Sequence, residues 1–519
     1  MKSPSWWQRG GVALLLLSLA ACDSGAGATP TVVAPVTVEP TAVATLSLPP
    51  TVAPATAVTL PATIASAPTQ ASATDTTAPT PSAAPDTAAA VPPATNTVAV
   101  VAPTATDAPM VAAPPPKSLP LPALAVGGDL SFQIYGETQE ATPLRDMVQT
   151  YVGLRPQVRF NLNHVPNLSE YITKLRASFT AGSPPDIFVL PYRYFAQFSA
   201  KGALEPLGPW LDKSPMIKAA DFYPQAMEPF TVNGTLQCMP LTIAGANVYY
   251  NKEMFQKAGV PFPHTGWTWQ EFLRAAQAMT KPGQYGLGME PELENLAPFI
   301  WQHGGELVDD PAHPTQMTLN TPATRSAIQY FINLSQAYRV VPSETDMQAE
   351  ALETRWDANQ IGMIIGNRSD TARFRRTKGF TWDVATLPSD VVQAGNLKSE
   401  AYCISAKSKN RAAAWDFVQW ASSPDAQAQL ARTGRTVPTL QSVAGSSAFL
   451  DPTQAPAHPQ IYLDAIPTLR HVPNTAAWPE IESAFNAELE RAFFTSVPLD
   501  TALNAITEQG NAALARVNK

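Results

Sequence analysis

Six histidines, His164, His264, His303, His313, His458 and His471, are the chain's first candidates for chemistry. None falls in the HExxH spacing that sets two imidazoles on one helix face around a metal. The chain has no GxSxG elbow, no GxxxxGK[ST] phosphate loop and no Cys–His signature. Carboxylates are plentiful, but a glycosidase pair is a distance in space and not a spacing in sequence, so composition leaves that chemistry open. The adjacent Tyr249 and Tyr250 have the phenolates that ferric iron accepts. Neighbours on a strand point to opposite faces, however, which gives one of the two to the core. No catalytic residue, metal or cofactor is expected.

The clearest positioning signals lie around those tyrosines, in YYNKEMFQKAGVPFPHTGWTWQEF, from Tyr249 to Phe272. The run CMPLTIAGANV before it has strand character. Asn251 has a side-chain oxygen where a helix starts, and the residues from Lys252 to Ala258 favour that helix. Gly259 follows where a left-handed backbone ends it, and Pro261 and Pro263 forbid its return. Thr268 and Glu271 have the spacing of a capping box that opens a second helix. The predicted order is strand, helix, extended loop, helix.

The chain has 519 residues, room for two or three domains, with 34 Lys plus Arg against 42 Asp plus Glu and a net charge of −8. A basic nucleic-acid footprint is not expected. Its 52 prolines are unevenly placed. Lys2 and Arg9 precede an apolar run from Gly11 to Ala21, the pattern of a secretion signal and shorter than the roughly 20 residues of a membrane-spanning helix. Leu19-Ala20-Ala21-Cys22 resembles a lipoprotein cleavage box, in which small residues admit the peptidase and the Cys22 thiol takes the lipid. That implies a signal peptide over 1–21 and a mature chain anchored by acyl chains, of which more than one is needed for stable anchoring. Residues 22–126 are rich in Thr, Ala and Pro, with no Lys or Arg between Arg9 and Lys117. Such a segment cannot build a core and is expected to be a disordered tether, open to O-glycosylation. It either gives a binding domain reach or serves no particular purpose. Cys238 and Cys403 remain in an exported chain, where a bridge and two buried thiols are both open.

From Gly128 onward, DLSFQIYG, VRFNLNHV and SPPDIFVL alternate with helical patterns, the β-α-β-α-β order of a parallel sheet under covering helices. YYNKEMF…AGVP…TWQEF, together with AGSPPDIFVL, KGALEPL, WQHGGELVDD, NQIGMIIGNRSD and AAAWDFVQWA, resembles the extracellular solute-binding proteins of ABC importers, in the sugar-type family of the maltose-binding protein. The resemblance covers roughly Asp129 to Lys519. It implies an α/β, two-lobed, periplasmic-binding-protein-like fold (type II), each lobe a mixed sheet flanked by helices, over residues 127–519. Lobe 1 would take about 127–241 and 389–440, and lobe 2 about 242–388 and 441–519. Crossings are expected near Pro240–Ala244, Leu387–Ser389 and Pro438–Gln441. Where many members carry a Trp after the strand's glycine, this chain has Asn367 and Arg368, a departure consistent with a polar or anionic solute or with an aromatic supplied from elsewhere.

A cleft between two lobes lets them close on a ligand by a hinge, with the ligand at the carboxyl ends of strands. Sugars present apolar ring faces to aromatic planes and a fringe of hydroxyls to charged groups. On the resemblance, the candidate ligand-binding residues are Glu137, Asp186, Trp301, Arg368, Glu400, Tyr402 and Trp478. For the aromatics the alternative is core packing, and for the charges a cap or a solvated surface. Asp186 has a further alternative in bonding its own Pro-Pro turn. The expected function is the lipid-anchored, substrate-binding component of an ABC importer on the extracellular side of the cell membrane, at the cell surface or in a periplasm. A sugar or similar polar solute, the permease's transmembrane subunits and the membrane are its expected partners, and a monomer its expected state. A surface sensor for a membrane receptor and a secreted glycan-active enzyme are the alternatives.

Overall fold

The structure, a computed structural model, describes residues 112–123 and 127–518. The expected signal peptide, Cys22 and most of the tether lie outside the described residues. Two β-sheets organise the rest. Strands β1 (Gly128–Tyr135), β2 (Val158–Val165) and β3 (Ile187–Pro191) run parallel, and the helices Thr138–Leu154 and Leu168–Thr180 connect them. β3 is buried along its whole length, which is why its sequence is an unbroken apolar run rather than an alternating one. A two-residue hairpin, β4 (Thr231–Val232) and β5 (Thr235–Leu236), precedes β6 (Met239–Gly245).

The second sheet contains β7 (Asn247–Asn251), β8 (Tyr285–Gly288), β9 (Ile361–Gly366) and β10 (Trp382–Thr386), in the order β10-β7-β9-β8. The long strand β11 (Gly395–Ile404) then returns to the first sheet, antiparallel to β3 and to β6, and β12 (Leu469–Arg470) adds to its edge. Both sheets are therefore mixed, each completed by a segment distant in sequence.

The chain passes from the first sheet to the second at Ala246 and returns through residues 387–394. A third passage leads from the helix Pro424–Arg432, against the first lobe's helix Thr138–Leu154, to the helix Ile461–Asp464, which lies against β10. Passages one and three run side by side, where Ile243 N donates to Val437 O at 3.3 Å.

Local signals act as their chemistry requires. Asn251 Oδ1 accepts from Met254 N at 3.0 Å and caps the helix Lys252–Ala258, which Gly259 ends at φ 66°. Thr268 and Glu271 form the reciprocal box that opens the helix Trp269–Met279.

Cys238 and Cys403 are joined in a disulfide that ties β11 to the residue before β6. Residues 112–123, which fall within the expected tether, pack against the folded chain instead. Ala113 O accepts from Ser447 N at 2.7 Å, Ser118 Oγ meets Ser423 Oγ at 3.0 Å, and Leu121 packs on the core. Among the described residues no helix is long and apolar enough to cross a membrane.

Candidate functional site

A cavity of about 250 Å³ lies where the ends of both sheets converge. β1 brings Tyr135 and β3 brings Pro191, each at its carboxyl end, and Tyr192 and Arg193 start the helix that follows β3. β11 runs antiparallel to β3 with Glu400 opposite Pro191, so Lys398, Ser399 and Glu400 form one wall beside Thr242 of β6. From the second sheet, β9 ends at Gly366, and Asn367 and Ser369 follow it into the cavity. Glu294, in the first turn of the helix Leu293–Gln302, completes that side.

The charges in this wall are paired with one another. Arg435 Nη2 donates to Glu400 Oε2 at 3.0 Å and its Nε to the Glu140 carbonyl at 2.9 Å, while the Tyr135 hydroxyl donates to Glu400 Oε1. Burial works against the Arg435 charge, but Glu400 and Glu140 outweigh it and hold its pKa above the ordinary arginine value. Burial, reinforced by Glu400, pushes the Tyr135 phenol well above its usual range, so it remains a donor.

The second group spans the lobes. Arg193, beside β3, reaches Glu482 at 2.9 Å and Glu294 at 3.5 Å, and Lys398 reaches Glu294 at 3.2 Å. Burial would raise the Glu294 pKa, yet Lys398 and Arg193 overcome it and keep the carboxyl below its ordinary value. Glu482 lies the other way, raised by burial against the pull of Arg193.

Of the residues chosen from sequence, Glu400 lines this cavity and the other six do not. Glu137 is exposed as the N-cap of the helix Thr138–Leu154, and its capping partner Glu140 is the carboxylate at the cavity. Asp186 stands at the opposite end of β3, where Ser131 N, Ser131 Oγ and Ser408 Oγ bind it at 2.9, 2.7 and 2.6 Å. It stitches strands together rather than holding its own Pro-Pro turn. Trp301, Tyr402 and Trp478 belong to the core. Their large apolar areas are better buried than left in a polar cleft.

Arg368 is 1 % exposed and turned behind the cavity, with its guanidinium carbon 4.7 Å from the Phe449 ring centroid and 4.9 Å from that of Tyr462. Its neighbour Asn367 takes the place at the cavity. Tyr249 and Tyr250 are both buried, and the Tyr249 hydroxyl meets Asn367 O at 2.6 Å, Thr371 Oγ1 at 2.9 Å and the Tyr462 hydroxyl at 2.7 Å. Among the described residues no group of three His, Cys, Asp or Glu is placed to hold a metal ion.

Tyr135, Glu140, Arg193, Glu294, Lys398 and Arg435 also line the cavity and are not among the residues chosen from sequence. A signal existed for one of them. Lys398 lies two residues before Glu400 on the same strand, and residues at that spacing share a face. In β11 these two are the partly exposed positions among buried neighbours.

A family model described as bacterial extracellular solute-binding protein matches residues 151–459. A putative binding protein of Brucella abortus is 20% identical over 410 residues, covering 76% of this chain and 95% of its own. The mannitol-binding protein of Pseudomonas aeruginosa is 26% identical over 310 residues, with 56% of this chain and 66% of that protein covered. Among solved structures, an ABC substrate-binding protein from Listeria monocytogenes in complex with cycloalternan superposes with a TM-score of 0.70 at 22% identity, over 75% of this chain and 99% of the other. That likeness establishes the two-lobed fold.

Proposed function

The chain belongs to the bacterial extracellular solute-binding proteins, and from that premise we propose that it captures one small, hydroxyl-rich solute, a sugar or a polyol, between its lobes for an ABC importer. The observation that carries the proposal is the cavity where both sheets converge, lined by the paired charges Arg435–Glu400, Lys398–Glu294 and Arg193–Glu294. Hydroxyls both donate and accept, so they insert among such groups without leaving a charge alone.

The size favours a small solute. At about 250 Å³ the space lies just below the roughly 300–1,000 Å³ of sites that hold drug-sized ligands. A single sugar ring or an open-chain hexitol suits it better than a linear oligosaccharide. Among the described residues the aromatic side chains in the lining are Tyr135 and Tyr192, and none is a tryptophan that could stack a longer glycan. The mannitol-binding relative is consistent with that choice. Closure of the two lobes about their three passages would seal the solute from water. Cys22 carries the proposed lipid anchor, and the tether would set the reach from the membrane.

The test is a thermal-shift and calorimetric screen of hexoses, hexitols, disaccharides and maltotriose. A solute at 100 times its Kd should stabilise the native state by about 2.7 kcal/mol. Saturable binding of a monosaccharide or hexitol without product is the expected result. Preference for maltotriose would overturn the size argument, and turnover of a glycoside would overturn the binding role. For the anchor, Cys22→Ser should release the protein from the membrane fraction.

A further inference from the structure

A second cavity, of about 560 Å³, lies on the lobe built around the second sheet and shares no lining residue with the first. It opens at the far end of that sheet, where Asn251 pairs with Trp382, whereas Asn247 pairs with Gly366 at the end beside the first cavity. Lys252, Arg375, Phe380, Trp382 and Gln454 are among its lining residues.

The two cations there lack acidic partners. Among the described residues neither Lys252 nor Arg375 has a carboxylate within ion-pair distance. Arg375 spends Nε on Ala455 O at 2.7 Å and Nη1 on Arg432 O at 3.2 Å, both neutral carbonyls. The Lys252 ammonium stands 5.7 Å from the Phe262 ring centroid.

The nearby acids hydrogen-bond other groups, Glu253 and Asp451 only neutral ones, so their charge persists but not in contact with either cation. Glu253 accepts from Thr381 N and Oγ1 at 2.9 Å, Asp451 accepts from Thr453 and Gln454, and Asp357 accepts from Thr377 Oγ1 at 2.6 Å and pairs with Arg373 at 3.1 Å. Asp383 binds the His458 ring at 2.6 Å. Arg368, buried nearby, has no hydrogen-bond partner for any guanidinium nitrogen and adds positive potential. Burial and that neighbouring charge lower the Arg375 pKa to about 10, against the opposing pull of Asp451.

We propose that this cavity is a binding site for a small organic oxyanion, a phosphate-bearing molecule, whose charged group is held by Arg375 and Lys252 and whose body rests on Phe380 and Trp382. Arg375's remaining N–H groups and the Lys252 ammonium offer charge-assisted donors to phosphate oxygens. Phe380 and Trp382, 9 % and 6 % exposed, form an apolar wall for the remainder. Nothing in the site requires the cleft to be occupied, so the two ligands bind independently.

The experiment is calorimetry and thermal shift with glycerol 3-phosphate, against glycerol and against sodium chloride at matched ionic strength. Saturable binding of glycerol 3-phosphate and none of glycerol is expected. Lys252→Gln should weaken it about tenfold to a hundredfold, the range for a charged hydrogen bond. Because the Lys252 side chain makes no hydrogen bond in the structure, that variant tests the site even if Arg375→Gln, which removes two backbone contacts, fails to fold. Absence of saturable binding, or equal affinity in Lys252→Gln, overturns the proposal. So does displacement of glycerol 3-phosphate by the cleft's own solute.

Discussion

Replacing Glu290 by Gln should make the protein's stability less dependent on pH. Glu290 lies in the turn after β8 that leads into the helix Leu293–Gln302, and among the described residues its carboxyl has no ion-pair or hydrogen-bond partner. Burial, with Glu292, Glu353 and Glu490 nearby, raises its pKa from 4.5 to about 8. A carboxyl raised in the folded state contributes its full stability below the unfolded pKa, and that contribution is lost as pH climbs through the folded one. The window is therefore pH 4.5 to about 8. Inside it the wild type loses at most about 1.4 kcal/mol per pH unit to this group, or roughly 2.7 kcal/mol from pH 5.5 to 7.5. The carboxyl keeps partial contact with solvent, so about half, roughly 1–1.5 kcal/mol, is expected. Glu482, also raised by burial, titrates in both proteins and cancels, while Glu292 and Glu490 lose a like-charged neighbour in the variant, which adds to its gain at the higher pH. The assay is equilibrium urea unfolding at both pH values for wild type and Glu290→Gln. The variant should gain on the wild type at the higher pH by that amount. Parallel profiles for the two proteins would refute the claim that Glu290 is held neutral by its surroundings.

Three further changes test the cleft and the framework behind it. Glu400→Gln strips Arg435, whose side chain is 5% exposed, of its charge partner; unfolding should cost about 1–3 kcal/mol less and calorimetry should show solute affinity down at least tenfold, as expected at roughly 1.5–3 kcal/mol per charged hydrogen bond. Adding Arg435→Met should return most of the stability and none of the affinity. Tyr249→Phe leaves Asn367 O and two buried hydroxyls short of a partner, which should lower unfolding free energy by about 1–3 kcal/mol. Replacing Cys238 and Cys403 together by Ala opens a loop of 165 residues; denaturant titration should show a loss of up to about 5 kcal/mol, and thiol titration in denaturant should find neither cysteine free in the wild type.

The parts of the fold visible in the sequence are those decided within a few residues. Asn251, Gly259, Thr268 and Glu271 each act on backbone three or four positions away, so residue type and spacing suffice. The cleft is different in kind. Arg193, Glu294, Lys398, Glu400, Arg435 and Glu482 are ordinary charged residues until the sheets bring them together, and no spacing along the chain announces a pair separated by 289 positions, as Arg193 and Glu482 are. The aromatic candidates have two readings for a physical reason. Trp301, Tyr402 and Trp478 are as valuable to a core as to a sugar ring, and burial settles them in the core. The disulfide stayed open in sequence because pairing requires the β6–β11 register, which places Tyr402 opposite Met239 and so Cys403 near Cys238.

The departure at Asn367 and Arg368 is consistent with a polar solute, an anionic one or an aromatic supplied from elsewhere, and the geometry argues against an anion in the cleft. Arg368 is withdrawn between two rings, and the cations that do reach the cavity are matched by Glu294, Glu400 and Glu482. An incoming anion would have to compete with carboxylates already at 2.9–3.2 Å, and would leave one of them buried without its cation. A neutral polyol avoids that penalty, since its hydroxyls use the lone pairs and N–H groups the pairs leave over. In the outer cavity Lys252 and Arg375 have no carboxylate in ion-pair contact among the described residues, so an anion there gains charge-assisted bonds without breaking an ion pair. Selectivity in each place follows from whether its charges are already paired, so adding a phosphate to the polyol should move its binding from the cleft to the outer cavity, which calorimetry on Lys252→Gln would detect.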